Sequence, residues 1–204
     1  SVPKPLQKPH PPIWVAARDP GTFDWAIKNG ANIMATPLSR PPEEVKILGD
    51  KFDKALADNP DRKRPRFLML RRACVYENPD DWKIPVEASM MYGRHFENLF
   101  HNVGSVKNGF TEAVDYATVA NRDEYNPANI RRNMLFGTPD EIIEKLQIYE
   151  AAGVDVLCLG VGFGLPWRVN VRSLELFIER VMPHFAAREE SGDTNDALRA
   201  TAGA

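Results

Sequence analysis

Lys8-Pro9-His10-Pro11-Pro12-Ile13-Trp14-Val15-Ala16-Ala17-Arg18 is the stretch on which the fold turns. Proline lacks the amide hydrogen that a helix interior needs and clashes with the preceding turn, so the approach reads as extended chain. Residues 13–17 are β-branched, aromatic and apolar on both faces, with the length of a fully buried strand. The run ends in two small residues, Ala16 and Ala17. In parallel α/β sheets and barrels, ligands gather at the carboxyl ends of the strands. Small side chains there let a large planar ligand approach the backbone.

Working outward, the same rhythm repeats. Asp19 and Thr22 are N-cap candidates with Pro20 suited to a first turn, and Gly30 closes the short helix. A second buried strand is predicted over residues 31–36, and a helix over 43–58 with Val45, Leu48, Phe52 and Leu56 at helical spacing. Residues 66–76 read as a third strand. Thr138-Pro139-Asp140-Glu141 has the N-cap, first-turn proline and N3 glutamate of a capping box, so a helix is predicted over 140–152. A fourth strand follows at 154–160, then the Gly-rich loop 160–164 and a last amphipathic helix over 173–185. Residues 77–132 break the rhythm as an insertion rich in aromatic and amide side chains; helical pieces are predicted in it, with another helix over 110–121. Residues 187–204, polar and rich in small residues, read as a disordered tail. Strand and helix in strict alternation mean an α/β fold with a parallel sheet. Periodicity alone leaves two arrangements open, a four-stranded doubly wound domain and half of an eight-unit barrel.

Composition narrows the function classes. The chain has 204 residues, enough for one domain with a real core, and an apolar share of 43%, ordinary for a globular chain. A net charge of −2 gives no bulk electrostatic case for nucleic acid or an anionic membrane. No stretch approaches the ~20 apolar residues of a membrane span. Cys74 and Cys158 sit in strand-like apolar runs and read as reduced, buried thiols of a cytoplasmic protein. The start at Ser1, with no Met and what reads as an interior strand soon after, is expected of a piece of a longer protein.

Three motifs in order carry a specific resemblance. They are Gln7-Lys8-Pro9-His10-Pro11-Pro12-Ile13-Trp14-Val15-Ala16-Ala17, then Phe136-Gly137-Thr138-Pro139-Asp140-Glu141 leading into Ala151-Ala152-Gly153-Val154-Asp155, then Ser173-Leu174-Glu175-Leu176-Phe177 through Val181-Met182-Pro183. Together they resemble the carboxyl-terminal half of the bacterial luciferase-like monooxygenase family, over nearly all of residues 3–186. The resemblance implies a (β/α)8 TIM barrel, with this chain supplying strands five to eight as a half barrel over residues 1–186. The insertion at 77–132 is a family trait after strand seven. The implied activity is that of a flavin-dependent monooxygenase, inserting oxygen from O2 into a small organic substrate with reduced FMN from a separate flavin reductase. An F420-dependent oxidoreductase of the same fold is the alternative, and a non-catalytic partner subunit or inactive fragment related to the luciferase β chain is a third. A homo-oligomer is expected, because the unpaired sheet edges of a half barrel invite association.

The resemblance also directs attention to the strand ends. Ala16, Ala17 and Arg18 are expected to line the flavin pocket, although Arg18 departs from the Gly and Ser more often found there. Thr36, ending the second strand, is expected to reach the flavin or substrate through its hydroxyl, or to cap the following turn. Trp14 reads as core. His95 is the one candidate for a pocket base; His101 lies six residues on, a poor fit to one helix face, and no His/Cys/Asp spacing makes a zinc site. His10, between prolines, reads as structural. Arg71 and Arg72 must point to opposite faces of their strand. A buried Arg needs a partner, an ion pair with a helix carboxylate being the first expectation and an anionic cofactor the second. The Gly160–Gly164 loop reads as a rim or pocket wall and lacks the dinucleotide-binding glycine spacing.

Overall fold

A computed structural model of the chain describes residues 3–190. The elements run β1 (Trp14–Ala16), α1 (Pro20–Lys28), β2 (Asn32–Ala35), α2 (Glu43–Ala57), β3 (Phe67–Val75), α3 (Lys83–His101), β4 (Val106–Lys107), β5 (Phe110–Thr111), α4 (Pro127–Asn133), β6 (Leu135–Gly137), α5 (Pro139–Ala151), β7 (Val156–Gly160), α6 (Trp167–Leu176) and α7 (Met182–Glu190). The expected tail starts inside α7, whose backbone stays helical to Glu190, and its remainder, 191–204, lies outside the described residues.

All strands of the main sheet are parallel. β1 pairs β2, β2 pairs β3, and β3 carries both remaining partners: β7 along Leu68–Arg72 and β6 along Ala73–Val75. The nine residues of β3 are therefore the spine of the sheet. Alternation along β3 separates two environments. Phe67, Met69, Ala73 and Val75 join the core built with α1, α2, α5 and α6. In that core Phe52 stacks on Phe67 at 4.8 Å and Phe23 meets Phe67 edge-on at 6.1 Å. The opposite face holds Trp14, Met34, Leu68, Leu70 and Cys158, all partly exposed. Trp14, expected in the core, is half-buried on this open face, because α1, α2, α5 and α6 all pack against the other one.

Local chemistry fixes the helix starts. Asp19 caps α1, accepting from the Thr22 amide at 3.0 Å. Thr138 and Glu141 close the capping box of α5, the Glu141 carboxylate accepting from the Thr138 amide at 2.7 Å. Lys145, one turn on, donates to the carbonyls of Arg131, Met134 and Phe136 at 2.8–2.9 Å. This ties α5 to α4 and β6, and burial pulls the ammonium pKa down to about 8. The last helix is interrupted by a wide turn at Phe177–Val181. Pro183 comes two residues after it and lacks the amide that would continue regular bonding.

The insertion differs from its sequence reading in one respect. Residues 110–121 are not a helix. They hold β5, which pairs antiparallel with β4, and then a single tight turn at Tyr116–Thr118. Asn108 and Gly109, both at positive φ (51° and 83°), make the two-residue hairpin turn. Asn98 clamps the hairpin to α3, donating to Ser105 O at 2.7 Å and Glu112 O at 2.9 Å.

Candidate functional site

A cavity of about 510 Å³ opens at the carboxyl ends of the parallel strands, within the size range of small-molecule sites. Its floor is the end of β3 (Leu70 to Arg72) and Gly160. One wall is the turn after β2, with Thr36, Leu38 and Ser39, and another is Phe163 in the loop after β7. The insertion supplies the third wall through α3 and the segment at Glu124 and Tyr125.

The α3 wall is an aromatic stripe. Tyr92, Phe96 and Phe100 recur every four residues, so they share a helix face. Their ring centroids are 4.6 Å and 5.5 Å apart along the stripe. On the other wall Phe163 is buried and stacks on Phe136 at 5.5 Å, which fixes the Gly-rich loop.

The charged groups fall into two sets. Glu97 and Glu124 are both held by Arg122, which reaches Glu97 through two bonds of 2.7 and 2.8 Å and Glu124 at 2.5 Å. Tyr125 adds its hydroxyl to Glu97 at 3.1 Å. Hydrogen bonding from Arg122 keeps the Glu97 carboxyl below its ordinary pKa. At the floor the two arginines part. Arg71 is buried on the helix-covered face, donating to Tyr149 Oη (2.9 Å), Leu38 O (2.6 Å) and Arg40 O (3.1 Å). It thereby holds the turn after β2 in place, and its Nη2 is buried without a partner. Arg72 donates through Nη1 to Ser89 Oγ at 2.6 Å and Ser89 O at 3.2 Å, and its guanidinium lies 5.4 Å from the Tyr92 ring centroid. Neither forms an ion pair among the described residues, contrary to the sequence expectation; carbonyls and hydroxyls take the place of a carboxylate. Burial lowers the Arg72 pKa. Gly160 pairs with Arg72 in register, and a Cβ there would lie 3.3 Å from Arg72 Cα, so a side chain at 160 would push β7 and the floor apart by a few tenths of an ångström.

The other sequence candidates are distributed around this site. Thr36 lines the cavity, and its hydroxyl accepts from the Leu38 amide at 3.1 Å, so it also caps the turn. Ala16 is exposed on the open face, while Ala17 is buried in the helix-covered core. Arg18 reaches Glu44 at 3.5 Å, and its carbonyl accepts from Lys51. None of these three lines the cavity. His95 faces away from the cavity wall, its Nδ1 2.8 Å from Thr111 O, and borders a separate hollow beside the hairpin. His101 lines the cavity mouth, 3.8 Å from Glu97. His10 is exposed, 2.8 Å from Pro11 O. Sequence reasoning did not bring forward Ser89, Tyr92 or Arg122 as site residues. The four-residue recurrence of Tyr92, Phe96 and Phe100 was the available signal.

Comparisons with known proteins agree with this architecture. The sequence model of the family described as luciferase-like monooxygenase matches residues 1–156. The chain is 34% identical over 186 residues to the oxygenase component of flavin-dependent trigonelline monooxygenase from Acinetobacter baylyi, covering 91% of this chain and 52% of that protein. Monooxygenase RslO1 from Streptomyces bottropensis superposes with a TM-score of 0.59 at 24% identity, covering 90% of this chain and 51% of that one. The coenzyme F420 dependent tetrahydromethanopterin reductase from Methanopyrus kandleri gives 0.59 at 16% identity, covering 85% and 51%. The chain spans about half the length of the relatives it matches. Three ordered motifs, a parallel sheet with a cavity at its carboxyl end, and these matches together establish that the chain belongs to the luciferase-like monooxygenase family.

Proposed function

We propose that the chain is the carboxyl-terminal half of the barrel of a flavin-dependent monooxygenase, with β1, β2, β3 and β7 as strands five to eight of a (β/α)8 barrel. The observation that carries this reading is the one-sided sheet with its cavity. Helices cover one face, the other face is bare, and an aromatic-walled cavity opens at the carboxyl end. A doubly wound domain would bury both faces. In the barrel reading, the open face with Trp14, Met34 and Leu70 is the interior packing surface. The whole protein inserts oxygen from O2 into a small organic substrate, with reduced FMN supplied by a separate reductase. The name of the Acinetobacter relative, an oxygenase component, supports that division of labour.

The residues present fit a flavin. Ala16 and Gly160 leave the strand ends flat, and the hydroxyls of Thr36 and Ser39 offer donors to ring carbonyls. Thr36 would hold the cofactor from the cavity wall, while Ala16, Ala17 and Arg18, outside the cavity at the end of the neighbouring strand, would border only a part of it that extends past Thr36, Ala17 through its carbonyl because its side chain is buried among the helices and its amide is bonded to Met34 O. A bound reduced flavin supplies the electrons that activate O2. The chain itself orients and excludes water: Tyr92, Phe96 and Phe163 make an apolar wall, and Arg71 fixes the turn carrying Thr36 and Ser39.

Anaerobic titration with reduced FMN, followed by admission of oxygen and product analysis, tests the reading on the chain and on any longer protein that carries it. FMN binding with oxygen-dependent product is expected. Binding of F420 in preference to FMN would move the reading to hydride transfer, and binding of neither would leave a non-catalytic subunit.

A further inference from the structure

Two arginines on the cavity floor lack a counter-charge among the described residues, and of these Arg72 is the one whose unpaired donors are not sealed from the cavity, since the spare Nη2 of Arg71 is fully buried. The Nη1 of Arg72 is taken by Ser89, while its Nε and Nη2 have no hydrogen-bond partner there. Arg71, its neighbour, is spoken for by two carbonyls and a tyrosine, and the two glutamates of the cavity are bound to Arg122. The charges that act on Arg72 include Arg71, a repulsive one, and no carboxylate. Desolvating a cation in this way is costly unless an anion completes it.

The surroundings define the anion. The guanidinium lies at the inner end of the Tyr92–Phe96–Phe100 stripe, so a ligand reaching Arg72 lies along three aromatic rings. Arginine presents two parallel N–H groups that match the two oxygens of a carboxylate. A phosphate dianion calls for more donors than one guanidinium edge, and the other unpaired guanidinium nitrogen on this floor, Arg71 Nη2, is buried out of a ligand's reach.

We propose that Arg72 anchors the carboxylate of a flat aromatic substrate, whose ring lies against Tyr92 and Phe96. The proposal rests on the reading of this cavity as the oxygenase site. It assigns Ser89 the role of a positioning residue, since its hydroxyl holds Nη1 and turns the free edge of the guanidinium toward the cavity.

Ligand-observed NMR titrations of the 204-residue chain with benzoate, benzamide, FMN and inorganic phosphate, at matched ionic strength, test it. Benzoate and benzamide have nearly the same shape and differ in charge. Benzoate is expected to bind about tenfold more tightly than benzamide, the range of a charge-assisted hydrogen bond. Arg72→Met brings the ratio to about one, and Arg72→Lys retains part of the preference because it keeps the charge without the fork. Circular dichroism melts accompany each variant; where Arg72→Met is unstable, Arg72→Lys and Ser89→Ala carry the comparison. Equal binding of the two probes to the unaltered chain overturns the proposal. So does a loss of FMN or phosphate binding in Arg72→Met with benzoate unaffected, which would make Arg72 a cofactor phosphate ligand. A benzoate preference that depends on Arg72 in a chain that binds no FMN supports the anchor and removes the flavin reading alone.

Discussion

Arg71 and Arg72 are adjacent, identical in chemistry and opposite in fate. Arg71 points into the helix-covered face, where Tyr149 and two carbonyls hold Nε and Nη1, Nη2 is sealed in without a partner, and the side chain serves as a structural brace. Arg72 points to the other face, where a single serine leaves most of its donors free. The same division runs through the whole sheet. One face is a closed core in which Phe23, Phe52 and Phe67 interlock, and the other is a bare surface ending in a cavity. Stability resides on the first face and ligand chemistry on the second. A strand with a period of two keeps them separate within one run of sequence.

The largest expected effect is on the closed face. Phe67→Ala should lower the urea midpoint by the equivalent of about 3–5 kcal/mol. Leu70→Ala, on the open face of the same strand, should cost under about 1 kcal/mol, since its side chain is already partly in water. Equal costs would mean that the open face is covered in solution. The cysteines sharpen the same contrast by a different measurement. Cys74 is buried under the insertion, and burial pushes its thiol up to about 11. Because the thiolate is the reacting form, iodoacetamide at pH 8 should modify Cys74 at least ~100-fold more slowly than a free thiol. Its rate should climb with each pH unit up to about 11. Cys158, beside Leu70 in register, should react well ahead of it, and protection of Cys158 to the same degree would again reveal a covered face.

Arg71→Met removes three hydrogen bonds and strands their buried acceptors, for about 2 kcal/mol in thermal or urea unfolding. It should also loosen the Thr36 turn, visible as faster amide exchange at Leu38. Thr138→Ala has a smaller effect than Arg71→Met, about 1 kcal/mol, because it deletes one half of a capping box and leaves the packing of α5 intact.

The repeating units were legible in the sequence because their signals are local. Asp19, the capping box at Thr138 and the apolar runs of β2, β3 and β7 each announce themselves within a few residues. The insertion was harder to read. Its hairpin strands are two residues long, too short for any period to register, and the apolar residues after Phe110 mimicked a helix face. The decisive cue there was Asn108-Gly109, a two-residue turn signal. β6 was also missed, since three apolar residues before a capping box do not stand out. For the site, sequence could show that Arg71 and Arg72 face opposite ways. It could not show which of them met Tyr149, because that contact spans 78 residues.

Another long-range contact has a consequence for how the site can change. Asp155 accepts from the Phe67 amide at 2.7 Å and from Arg64 at 2.8–2.9 Å, a clasp that joins the two ends of the chain segment carrying the whole insertion. Closing a segment of 88 residues is entropically expensive, but the cost grows only with the logarithm of length, about 0.6 kcal/mol for each doubling. The sheet is therefore nearly indifferent to how much chain hangs from β3 on its way to β7. Residues can be added to or removed from the cavity wall at small thermodynamic penalty, so the shape of the pocket is free to diverge while the scaffold beneath it stays the same.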